Sequence, residues 1–157
     1  MSVCPSYNVQ VGVLMYLGFL QQRLGLAERA SEILDPSVWA SAAGAGIVVI
    51  EHRTDDEDTA GLLSTVTHPA TRVVLDAERA VLSSLEGGCL TAASAHAILD
   101  PATQHVTVHA AVLDPSGGPA LRTTSSGPAD RAAEVGRDTG LGLLHAGAAR
   151  LLAVSPH

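Results

Sequence analysis

Apolar residues along this chain follow one rhythm in its first third and others after it. From Gln10 to Tyr16 they form a mostly aliphatic run bounded by turn-capable Pro5, Ser6 and Asn8, which suits a buried strand. Phe19 to Leu24 has helical spacing, and Gly25 stands where such a helix would end. Asp35-Pro36 marks a turn. Gly44-Ala45-Gly46 then leads into Ile47-Val48-Val49-Ile50, a continuous β-branched run of the kind buried on both faces of a parallel sheet. Asp55, Asp56, Glu57 and Asp58 follow and predict the first turn of a helix through Leu63, where acidic side chains meet the positive end of the helix dipole.

His68-Pro69 opens a longer helix with Val74, Val81 and Leu85 on one stripe and Leu75 and Leu82 beside it, closing at Gly87-Gly88. Beyond Cys89 the period shortens. Leu90 to Leu99, His105 to Leu113 and Ala120 to Ser125 read as strands of a meander, joined by Asp100-Pro101 and by the turn-rich stretch Asp114 to Pro119. Ala129 to Leu152 predicts a closing helix that offers Leu141, Leu144, Ala148, Leu151 and Leu152 to the sheet, with Gly136, Gly140 and Gly142 weakening its middle.

The fold class expected is α+β. Residues 67–157 form an α-β-β-β-α unit with a three-stranded antiparallel sheet, and residues 1–66 are remnant α/β strand and helix segments that do not complete a sheet of their own. An isolated pair of strands is marginal in water. The runs at 10–16 and 47–51 therefore need each other, the C-terminal unit, or a second chain, so a homodimer or a partner chain through these orphan strands is an expectation.

Composition narrows the chemistry. The 157 residues are 46% apolar, enough for one buried core. All nine basic residues are arginine, against sixteen acidic ones, for a net charge of −7. Without lysine there is no Schiff-base or P-loop lysine chemistry. The acidic balance, with no basic tract, argues against nucleic-acid and anionic-membrane partners, and four aromatics (Tyr7, Tyr16, Phe19, Trp39) are too few for a base-stacking platform. Cys4 and Cys89 read as reduced thiols. The apolar run from Val9 to Leu20 is too short to span a bilayer and has no basic residue before it, so the protein is expected in the cytoplasm.

Glu51, His52 and Arg53 fall at the end of the β-branched run, a usual location for sites in α/β sheets. His52 has the ionisation for general acid or base work with a carboxylate as orienter. A strand-end ion pair between Glu51 and Arg53, which share a face at period two, is the simpler reading. His105 and His109 share a strand face about 13 Å apart, too far to bind one metal, and His96 does not rescue a site, so no metal is expected.

Glu78-Arg79-Ala80-Val81-Leu82 followed by Leu85-Glu86-Gly87-Gly88-Cys89 resembles the hydroxymethylbilane synthase (porphobilinogen deaminase) family around its cofactor-bearing cysteine. Leu24-Gly25-Leu26, Ile33-Leu34-Asp35-Pro36, Gly44-Ala45-Gly46 and Ile50-Glu51-His52-Arg53 are similar upstream. Ala97-Ile98-Leu99, Leu113 to Gly117 and Ser126-Gly127-Pro128-Ala129 are similar downstream. The resemblance runs from about Val11 to Leu152, the C-terminal half of the family chain. It implies a third domain plus the tails that return to the other two, with the family's catalytic aspartate and most substrate-binding arginines in the other half. Ala45 stands where the family has glutamine, and Leu90, Thr91 and Ala92 replace a polar residue and a Val-Pro pair.

By this resemblance Cys89 would carry a dipyrromethane cofactor, but a thiol just after a helix C-terminus is disfavoured as thiolate, so the expectation from the residues themselves is a retained core or loop cysteine and no cofactor. The first functional expectation is a truncated, stand-alone relative that binds and shapes a small organic substrate in a pocket between sheet and leading segments, promoting a cyclisation or rearrangement in specialised metabolism. The second is a non-catalytic subunit that completes a split tetrapyrrole enzyme, its strands pairing across chains. Residual deaminase activity is the third.

Overall fold

Antiparallel pairing organises the second half of the chain. In the computed structural model, which describes residues 23–26, 28, 34–86 and 92–153, β1 (Ala93–Asp100), β2 (His105–Val112) and β3 (Leu121–Pro128) form a sheet in the order β1-β2-β3. The register runs from Ala93 opposite Val112 to Asp100 opposite His105, and from His105 opposite Pro128 to Val112 opposite Leu121. The turns use the expected aspartates. Asp100 accepts from the Ala102 N–H and the Thr103 hydroxyl, and Asp114 from the N–H and hydroxyl of Ser116.

Helices flank this meander in the predicted order. Helix α1 (Glu57–Ser64) is capped by Asp56, which accepts from the Thr59 N–H, and carries Glu57 and Asp58 in its first turn. Helix α2 (Pro69–Ser84) starts on His68, whose ring accepts from the Thr71 N–H, with Pro69 in the first turn. Where a single closing helix was expected, a 3₁₀ turn at Ala129–Arg131 leads into α3 (Ala132–His145), and Gly147, left-handed at φ +99°, separates it from the short α4 (Ala148–Leu152).

Helices α2 and α3 cover one sheet face. Ala77, Val81 and Leu85 meet Ala95, Ala97, Val106, Val108, Ala110 and Val112, with Val135 and Leu143 from α3 closing the core. Two expectations about α3 are corrected. Leu141 does not face the sheet but is 39% exposed, because the buried stripe runs through Ala132, Val135, Thr139 and Leu143. Gly136 and Gly140 are not weak points: a Cβ at Gly136 would lie 2.0 Å from the Ala77 carbonyl oxygen, and one at Gly140 2.9 Å from that of Val81. These glycines let α2 and α3 approach backbone to backbone, which offsets their intrinsic penalty of about 1 kcal/mol each.

The leading segment behaves differently. Ile47 to Ile50 was expected as a buried strand, yet among the described residues it pairs with nothing, and Val48 is 90% exposed with Val49 and Ile50 largely open. A β-branched run buries both faces only between neighbouring strands, and the described residues supply none. Helix α1 has no buried residue, and Leu62 and Val66 beside it are exposed. Gly25 adopts the left-handed conformation of a helix stop. The expected strand at 10–16, most of the helix at 19–24, and Gly87-Gly88 lie outside the described residues. No helix among the described residues is long and apolar enough to cross a membrane.

Candidate functional site

Glu51, His52 and Arg53 occupy the open stretch between the apolar run and the Asp56 cap, and all are exposed. The His52 Nδ1 lies 2.8 Å from the Arg53 carbonyl oxygen, a purely local contact. Among the described residues no ion pair joins Glu51 to Arg53. That expectation fails because it assumed the alternating faces of a strand, and this stretch is not one. None of the three lines the open depression beside α2 and α3.

Cys89 lies outside the described residues, but both flanks of its segment are fixed. Leu85, capping α2, is buried, and so is Ala92, whose carbonyl accepts from the Leu113 N–H at 2.8 Å. The flanks Leu85, Glu86 and Ala92 offer no cation. Were a dipyrromethane attached in this segment, cations for its carboxylates would have to come from residues other than these flanks.

A buried carboxylate ties the leading segment to the sheet. Glu78, 3% exposed on α2, accepts from the Ala97 N–H on β1 at 2.9 Å and from the Gly44 N–H at 2.7 Å. Alongside, the Ala95 N–H donates to the carbonyl of buried Ser41, and Arg122 donates to the Val38 carbonyl. Two N–H groups on the outer edge of β1 are thus taken up by a side chain and a loop, which blunts that edge against pairing with another strand. The glycine turn from which residues 47–66 depart is thereby fixed to the core.

On the sheet face away from the helices His96 stands directly opposite His109. His109 approaches the Thr124 hydroxyl, and His96 lies 3.8 Å from Glu78. Burial holds the His96 imidazole below its usual range, Glu78 opposes that shift, His109 adds to it, and Asp35 opposes it. The Asp35 carboxyl is itself held low by the hydroxyl and N–H of Ser37. Among the described residues no group of three or more His, Cys, Asp and Glu is arranged to hold a metal. An open depression of about 940 Å³ lies on the outer side of α2 and α3, not between the sheet and the leading segment where a substrate pocket was expected.

Sequence reasoning missed Glu78 and the histidine pair. Glu78 left a signal: it is an acid four residues after Val74 and three before Val81, inside the apolar stripe of α2. The facing of His96 and His109 depends on strand register, which no local pattern encodes.

Comparison with known proteins bears on this arrangement. The sequence profile described as porphobilinogen deaminase, C-terminal domain, matches residues 73–145. The chain is 42% identical over 132 residues to a porphobilinogen deaminase of Chromobacterium violaceum, covering 84% of this chain and 42% of that protein. It is 36% identical over 153 residues to the porphobilinogen deaminase of Corynebacterium efficiens, covering 97% of this chain and 50% of the relative. It is 37% identical over 134 residues to that of Acidothermus cellulolyticus, covering 83% and 40%. The chain spans about half the length of the curated relatives it matches, or somewhat less.

Proposed function

Starting from a chain that belongs, through its C-terminal domain, to the porphobilinogen deaminase family, we propose that it serves as the C-terminal part of a deaminase-type enzyme of tetrapyrrole biosynthesis in the cytoplasm. In this reading the α+β unit carries Cys89 between two anchored flanks, as the attachment point for a dipyrromethane. Polypeptide equivalent to the relatives' N-terminal half supplies the acid and the cations.

One observation carries the reading. The run Ile47–Ile50 is β-branched and unpaired among the described residues, with Val48, Val49 and Ile50 exposed, while it leaves a glycine turn that Glu78 and Ser41 fix to the core. Leaving such a run open forfeits about 1.5 kcal/mol or more per large side chain, an imbalance removed by adding it to a sheet. A stand-alone catalyst with a substrate pocket between sheet and leading segment finds less support, because that segment exposes its apolar side chains instead of enclosing a cavity.

The test is to mix the chain with an N-terminal counterpart from the same genome, then follow porphobilinogen consumption and intact mass. Turnover and a covalent mass increase on this chain are expected only in the mixture, and both are abolished by Cys89→Ala. Turnover by the isolated chain, or a stable complex that is inactive and unmodified, contradicts the proposal.

A further inference from the structure

The outer groove between α2 and α3 concentrates positive charge on a chain whose net charge is −7. Arg72, Arg79 and Arg137 line it, and the carboxylate among the lining residues, Asp76, is already forked by the Arg72 Nε at 2.9 Å to each oxygen. The nearby Glu134 is engaged by Arg131. Arg79 and Arg137 make no ion pair or hydrogen bond at contact distance among the described residues, although the Arg137 charge adds to that of Arg131 in holding the Glu134 carboxyl low. The cations are not brought together by packing demands, since Arg72, Arg79 and Arg137 are all exposed. What packing does supply is a low floor: Ala77, Ala80, Gly136 and Gly140 let the helices nearly touch, so the longer side chains stand as a rim around a trough.

Like charges gathered around a depression repel one another unless an anion offsets them, and two guanidinium forks with no hydrogen-bond partner among the described residues present planar donor pairs suited to oxyanions. The geometry points to this groove as a binding site for a small multivalent oxyanion, a polycarboxylate or a phosphate, held by Arg79 and Arg137 with the Ser83 hydroxyl beside them. None of the lining residues falls within residues 47–66, and the reading of this groove does not depend on the function proposed above.

Calorimetric titration of the full chain at low salt with citrate in one arm and pyrophosphate in the other tests it. Saturable binding of at least one anion is expected, weakened at least tenfold in Arg79→Gln and in Arg137→Gln, and unchanged in Arg150→Gln, an exposed arginine outside the groove. Circular dichroism of each variant checks the fold. A preference for citrate identifies carboxylate recognition and one for pyrophosphate identifies phosphate recognition. Binding by neither anion overturns the proposal, as does an equal loss in the Arg150 variant, the mark of diffuse charge screening.

Discussion

Residues 68–153 and residues 34–66 differ in where their polar backbone and apolar side chains find partners. In the first region three strands pair with one another, two helices close over Val81, Val108 and Leu143, and glycines at the crossing replace side chains by backbone contact. In the second, only the stretch from Asp35 to Gly44 is tied to the core, through Ser41, Val38 and Gly44, and from Ile47 to Val66 no residue is buried and most, including Val48, Val49, Ile50, Leu62 and Val66, are exposed. The contrast teaches that residues 68–153 close a core among themselves, whereas residues 47–66 leave most of their apolar side chains exposed among the described residues.

The widest gap between the regions should appear in core variants. Gly136→Leu places atoms where the Ala77 carbonyl already lies, and cooperative unfolding in urea should be lost or shifted by more than about 3 kcal/mol. Leu143→Ala should lose about 2–5 kcal/mol in the same measurement. Next comes the link between the regions. Glu78→Ala leaves the N–H groups of Gly44 and Ala97 without their acceptor, at about 2–4 kcal/mol in total, and hydrogen exchange at both amides should accelerate.

A smaller effect is expected from pH. His96 is held below its ordinary range by burial, so its folded state favours the neutral ring. Its contribution to stability is complete above about pH 6.5, the ordinary imidazole value, and is lost as pH falls through the depressed folded value. Denaturation midpoints should fall over that window in the native chain and flatten in His96→Gln. The smallest effects belong to the open region: Val49→Ser or His52→Ala should change the stability of the isolated chain by no more than about 0.5 kcal/mol. A larger loss in Val49→Ser would show the run already buried and would erase the distinction.

Much of the fold was legible because the signals were local. The acidic cluster at 55–58, the His68-Pro69 helix start, the aspartate turns at 100 and 114, and the strand periods of the meander each declare an element without reference to the rest of the chain. Leu141 was misassigned because the α2 crossing, marked by Gly136 and Gly140, decides which face of α3 is buried. The run at 47–50 reads as a buried strand from its composition, but burial depends on neighbours that the sequence does not place. The site was least legible for the same reason: Glu78 reaches Gly44 and Ala97 across 34 and 19 residues, and Glu51, His52 and Arg53 were grouped by a strand face that the described structure does not contain.

Hydrogen exchange of the chain alone and in complex with an N-terminal counterpart examines the central claim most directly. Amides at 47–51 should exchange almost freely in the isolated chain and gain strong protection in the complex, while those of β1, β2 and β3 stay protected in both. Full protection at 47–51 in the isolated chain, or none in an active complex, would contradict it.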